Sequence, residues 1–138
     1  MFRTVLDSNV VLAADRASNP LSPNLEVINR WALGEFVWLV TADIAAEYAE
    51  KLLEKGNPAS EVETFIAGLF LSAEYVEIRF FHFRHYPVAA DDIIFLLCAI
   101  NGAASHLVSY DRHLLDLGNF YDEFVTCKPT EFLNALRT

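Results

Sequence analysis

The stretch DDIIFLLCAINGAASHLVSYDRHLLDL, residues 91 to 117, decides the fold class. Asp92 leads into a run that is apolar on nearly every face, the pattern of a helix over Asp92 to Ala104 at the centre of a fold. His106 to Ser109 is then a short apolar run without alternation, which reads as a strand buried on both faces. Asp111 stands just past its end, and Arg112 to Leu117 resumes a helical pattern that Gly118 stops. A helix that feeds a buried strand, followed by an acid and another helix, is the repeating unit of a parallel α/β sheet.

The same grammar extends outward. Arg3 to Asp7 is a second unalternating run, followed by a short helix over Val10 to Asp15. Leu25, Ile28, Trp31 and Ala32 recur at helical spacing toward Gly34, and Phe36 to Val40 reads as a strand. Thr41 or Asp43 can cap a helix from about Ile44 to Lys55, stopped by Gly56-Asn57-Pro58, with a further helix over Ala59 to Ala73. Tyr75 to Phe80 alternates Val76 and Ile78 against Glu77 and Arg79, which predicts a half-exposed edge strand. Glu123 to Thr126 is a last strand and Thr130 to Leu136 a closing helix. The expectation is an α/β/α sandwich with a central, mainly parallel sheet, in a single domain spanning residues 1–138.

Composition narrows the functional classes. The longest apolar stretch, Ile93 to Ile100, is too short to span a bilayer, and MFRTVLDSN lacks the regions of a signal peptide, so a cytoplasmic protein with no membrane partner is expected. Cys98 and Cys127 have neither CxxC nor Cys/His spacing and read as small core residues. The 54% hydrophobic content, with eleven Phe, points to apolar surface covered by a partner or a second copy, and a homodimer is expected. A net charge of −9 opposes non-specific binding of a polyanion, except where bound cations cancel acids locally.

Those acids carry the functional reading. Asp7, Glu47, Asp92 and Asp111 all sit at or beside the ends of apolar runs. Asp7 and Asp111 follow strands and so emerge at the carboxyl edge of the sheet, where open α/β sheets place ligands. Two unit charges about 4 Å apart repel by roughly 4 kcal/mol at an effective dielectric near 20, so converging carboxylates call for cations or shared protons. Carboxylate oxygens suit Mg²⁺ or Mn²⁺, whose coordination is commonly completed by phosphate oxygens. The chemistry indicated is metal-dependent phosphodiester hydrolysis.

Three segments, VLDSNVVLAA (5–14), TADIAAEYAEKL (41–52) and the 91–117 stretch, together with KPTEFLNAL (128–136), resemble the PIN-domain nucleases over nearly the whole chain. They are most similar to the bacterial and archaeal VapC-like group described as toxin components of toxin-antitoxin systems. The resemblance implies a Rossmann-like PIN sandwich, one or two Mg²⁺ or Mn²⁺ ions, and single-stranded RNA as substrate. It also implies a small antitoxin partner that covers the acids. The family's acids fall on Asp7, Glu47, Asp92 and Asp111; its polar position falls on Asn9 and its small hydroxyl on Ser109. Asp7 and Asp111 are then expected as direct metal ligands, with Glu47 and Asp92 binding a second ion or orienting water. Asn9 and Ser109 would position them through neutral hydrogen bonds. The chain departs from the group at Ala89, where another acid is common, and at Ile93 and Ile94, which replace a polar pair.

Three of the four acids also have a plain structural reading, whereas Asp7, a carboxylate ending a buried strand, needs a partner. Asp92 and Asp111 suit helix N-caps, and Glu47 stands four residues before Lys51, the spacing of a weak surface ion pair. The stretch RFFHFRHY, residues 79 to 86, can stack bases, but it also suits an edge strand packed on a second subunit, the stronger of the two readings. Arg84 or Arg112 is expected to contact substrate phosphate, and the sequence does not choose between them. The rivals to a ribonuclease are a PIN-fold binding module without turnover and a structure-specific DNA nuclease.

Overall fold

The computed structural model describes residues 1–87 and 89–138. Among these residues five strands, β1 (Arg3–Leu6), β2 (Val37–Val40), β3 (Glu74–Tyr75), β4 (His106–Val108) and β5 (Val125–Cys127), form one sheet. Its order is β3-β2-β1-β4-β5, and every neighbouring pair is parallel. Among the described residues seven helices complete the α/β fold: α1 (Ser8–Asp15), α2 (Pro23–Ala32), α3 (Ala42–Glu54), α4 (Ala59–Ser72), α5 (Ile93–Asn101), α6 (Arg112–Asp116) and α7 (Pro129–Arg137). Short 3₁₀ turns over Ala90–Asp92 and Leu117–Asn119 adjoin α5 and α6. No described helix is long and apolar enough to cross a membrane.

The unalternating runs are buried as their pattern requires. Val5, Leu6, Leu107 and Val108 of β1 and β4 are fully covered, as are Trp38, Leu39 and Val40 of β2. α5, apolar on nearly all sides, contacts β1, β2 and β4, and its Phe95, Leu96, Cys98 and Ala99 are buried. Cys98 and Cys127 are both free and buried, the expected core role. Thr41 caps α3, its hydroxyl accepting from the Ile44 amide at 3.1 Å. Gly34 and Gly56 follow the ends of α2 and α3 at φ of 79° and 92°, backbone that a β-carbon would strain.

The edge strand is shorter than its alternation suggests. Only Glu74–Tyr75 pairs with β2, and the Val76 amide makes a last bond to the Val40 carbonyl at 2.8 Å. Beyond that point β2 has turned into the cap of α3, so no strand remains to pair with. The side chain of Asn101 takes over instead. Its oxygen accepts from the Arg79 and Phe80 amides at 2.8 and 2.7 Å, and its nitrogen donates to the Phe80 carbonyl at 2.9 Å. Residues 79 to 86 are therefore not a strand, which removes the basis for reading them as a strand edge packed on a second subunit.

Gly102 is required for a different reason. A β-carbon there would stand 2.8 Å from the Cys98 carbonyl oxygen, 2.9 Å from Val76 and 3.0 Å from Leu39, and the Gly102 carbonyl accepts two bonds from Arg3. Gly102→Ala is expected to cost about 1–3 kcal/mol by overpacking, read as a lower denaturant midpoint at unchanged m-value.

Candidate active site

The chain runs β1-β2-β3 in one direction across the sheet and β4-β5 in the other, so the topological switch lies between β1 and β4. In open α/β sheets the crevice beyond the carboxyl ends of such strands is the ligand site. Asp7 follows β1 at this point, and its amide bonds across to the Val108 carbonyl at 2.9 Å, aligning the two strand ends.

Asp7 precedes α1 without capping it, and its carboxylate, 6% exposed, is held from the β4 side. The fully buried Ser109 donates its hydroxyl to Asp7 Oδ2 at 2.7 Å, and Ser109 Oγ accepts from the Asp111 amide at 2.8 Å. One small side chain thus locks two acids from neighbouring strands into register. Asp111 does cap α6, its Oδ1 accepting from the His113 amide at 2.9 Å. The capping role and a place beside Asp7 are compatible, because a carboxylate has two oxygens.

Asp92 behaves differently. It closes the 3₁₀ turn before α5 at 7% exposure, makes no capping bond, and its Oδ2 has no hydrogen-bond partner. Among the described residues it is the only acid with such an orphaned buried oxygen. Burial, then the negative charges of Asp111 and Asp7, push its carboxyl up to about 6, with Glu47 adding and His113 opposing. The Asp7 carboxyl is also raised, first by burial, against the Ser109 bond and with added repulsion from Asp111 and Glu47. All four acids therefore share one electrostatic environment.

Glu47, half-buried on α3, accepts a short bond from the hydroxyl of Ser8. It forms no pair with Lys51, which instead lies 3.9 Å from Glu54. Asn9 is exposed and has no side-chain hydrogen bond among the described residues. Arg84 is engaged elsewhere, bonding both Glu123 oxygens at 2.7 Å and lying 5.0 Å from the Tyr121 ring centroid. Arg112, exposed between Asp111 and His113, has no ion pair among the described residues.

Three participants escape a sequence reading. Ser8, buried beside Asp7, carries the hydroxyl that meets Glu47. Tyr48, fully buried, donates to the Leu6 carbonyl at the end of β1 and accepts from Trp38 Nε1 at 3.3 Å. His113 bears on Asp92 by charge. Their only signals are adjacency to Asp7, Glu47 and Asp111.

Among the described residues no three acidic, His or Cys side chains lie close enough together to hold a metal ion as they stand. The donor set nonetheless fits a hard divalent cation. It is all carboxylate oxygen, it includes an orphaned buried oxygen, and its members bear on one another as like charges that a cation would offset.

The family model described as PIN domain matches residues 3–113. The chain belongs to the PIN domain family. The match includes all four acids and stops just beyond Asp111. No protein of curated function matches this PIN domain. Among solved structures, the crystal structure of VapBC2 from Rickettsia felis bound to a DNA fragment from its promoter is similar in fold. Its TM-score is 0.59 at 10% identity, covering 90% of this chain and 96% of that one.

Proposed function

We propose that this PIN domain is a Mg²⁺- or Mn²⁺-dependent endoribonuclease acting on single-stranded RNA, the toxin half of a toxin-antitoxin pair. The observation that carries the reading is the buried, unpartnered oxygen of Asp92 in a shared field with Asp7, Glu47 and Asp111 at the switch point of the sheet. Family membership supports phosphodiester chemistry, and the fold likeness to a VapBC complex supports an antitoxin partner that covers the acids. A single domain over 1–138, a homodimer and a cytoplasmic location accompany this proposal.

Asp7, Glu47, Asp92 and Asp111 would hold the ion or ions. Such an ion supplies charge stabilisation to a phosphoryl oxygen and acidifies a bound water. The chain's own contribution is positional. Ser109 fixes the Asp7 carboxylate and the Asp111 backbone, and Ser8 orients Glu47. Asn9 and Arg112, both exposed, are free to meet the strand, Arg112 through a phosphate. Arg84, engaged with Glu123, is the weaker candidate for that contact.

The test pairs binding with turnover. Millimolar Mn²⁺ is expected to raise the melting temperature, by the equivalent of about 2.7 kcal/mol at a hundredfold excess over Kd. Single-stranded RNA should then be cut to 5′-phosphate and 3′-hydroxyl ends, and chelation should stop cleavage. Stabilisation without turnover on any RNA would favour the binding-module reading, and cleavage confined to branched DNA the structure-specific one.

A further inference from the structure

Next to the acids lies a cleft of about 220 Å³ that the metal chemistry does not use, lined by His85, Tyr86, His113, Asp116, Leu117 and Phe120. His113 joins the two places. Its amide is capped by Asp111 and its charge acts on Asp92, so the cleft opens from the same helix start that carries the last acid. Two rings are displayed there at 50% and 63% exposure, those of Phe120 and Tyr86. The His85 ring lies 4.1 Å from the Phe120 centroid in a tilted pair at 31°, and Tyr86 stands at 86° to Phe83.

This arrangement is held from below. The buried Tyr121 hydroxyl donates to the His85 carbonyl at 2.6 Å and accepts from the His85 amide at 3.2 Å. The Arg84–Glu123 pair fastens the preceding residue. Exposed rings on an anchored backbone cost little further ordering when a planar ligand stacks on them. At the rim, Asp116 accepts hydrogen bonds, while His113 can donate, a mixture that suits the edge of a heterocycle.

We infer that this cleft is a nucleobase subsite, in which one unpaired base of the bound strand stacks against Phe120, His85 and Tyr86 while its backbone passes Arg112 toward the acids. The assignment rests on the nuclease reading above. An unpaired base is required, because a base in a duplex has no free face to stack. The subsite thus gives a physical basis for preferring single strands, and it offsets the repulsion that a chain of net charge −9 presents to RNA.

The test measures binding and cleavage side by side. Anisotropy of a short fluorescein-labelled single-stranded RNA is followed in Ca²⁺, a hard ion that bridges carboxylate and phosphate, and cleavage of the same RNA is followed in Mn²⁺. Phe120→Ala and Tyr86→Ala are expected to weaken binding roughly 5- to 150-fold, the range of one lost base stack, while Phe120→Trp binds as the wild type does. An abasic ribose at the stacked position should weaken wild-type binding similarly and have no further effect on Phe120→Ala, a coupling that a merely structural role would not produce. Alanine variants that bind as tightly as a cleaving wild type overturn the subsite and leave the nuclease reading intact. A wild type that neither binds nor cleaves overturns both.

Discussion

Asp92→Asn is expected to lower RNA cleavage by at least about a hundredfold, as several kcal/mol of charge stabilisation are lost, while making the metal-free protein more stable at neutral pH. The two effects have one cause. Asp92 holds a nearly buried oxygen without a hydrogen bond, in the field of Asp111, Asp7 and Glu47. Burial and those neighbouring charges push its carboxyl up to about 6 in the folded chain, against about 3.9 when unfolded. Between those values the folded chain binds the extra proton, so the protonated group contributes full stability below the unfolded value. That contribution is lost as pH rises through about 6. Asn has the same shape and never ionises. Its advantage should be absent near pH 4 and reach at most about 2 kcal/mol at neutral pH, after allowance for solvent screening. Thermal melts of both proteins across that range, without metal and with Mn²⁺, give the check. The order should reverse once Mn²⁺ is added, because only the carboxylate gains a cation. Equal melting temperatures at all pH values, or retained cleavage, would count against Asp92 as part of the metal centre.

Tyr48→Phe is expected to lose about 2–4 kcal/mol of stability, a large cost for one oxygen atom. The hydroxyl donates to the Leu6 carbonyl and accepts from Trp38 Nε1, and the surroundings are fully buried. Phe therefore leaves two buried polar groups without partners, each worth about 1–3 kcal/mol. Leu6 immediately precedes Asp7, so the loss also loosens the strand end that presents the first acid. Cleavage should fall even under conditions where the variant remains folded. Urea melts give the stability term, and turnover well below the transition gives the second. An unchanged denaturant midpoint would mean that the two orphaned groups find other partners.

Much of the sheet was legible because its central strands are buried on both faces, and burial leaves an unalternating apolar run that few other elements share. Residues 3–6 and 106–108 are strands for that reason. The same logic misled at Tyr75 to Phe80. Alternation there reflects packing of Val76 and Ile78 on the core, while the ladder depends on whether β2 continues alongside, and β2 stops at Val40. Thr41 was readable as a cap from its residue type, since its hydroxyl bonds within one turn. Asp92 and Asp111 looked equivalent by the same rule, yet only Asp111 caps. The difference arises from neighbours distant in sequence.

The sequence alone determined the α/β class, the parallel order of strand and helix, and the presence of acids at strand and helix ends. These follow from local periodicity and from the turn chemistry of neighbouring residues. Only the tertiary structure decided that Ser109 couples Asp7 to Asp111, that Ser8 meets Glu47, and that Asp92 keeps an oxygen free. It likewise drew Arg84 away to Glu123 and left Arg112 open beside the acids. Hydrogen bonds and charge coupling act over a few ångströms of space, and these partners lie as far as 102 residues apart in the chain. No pattern of adjacent residues encodes which of them meet.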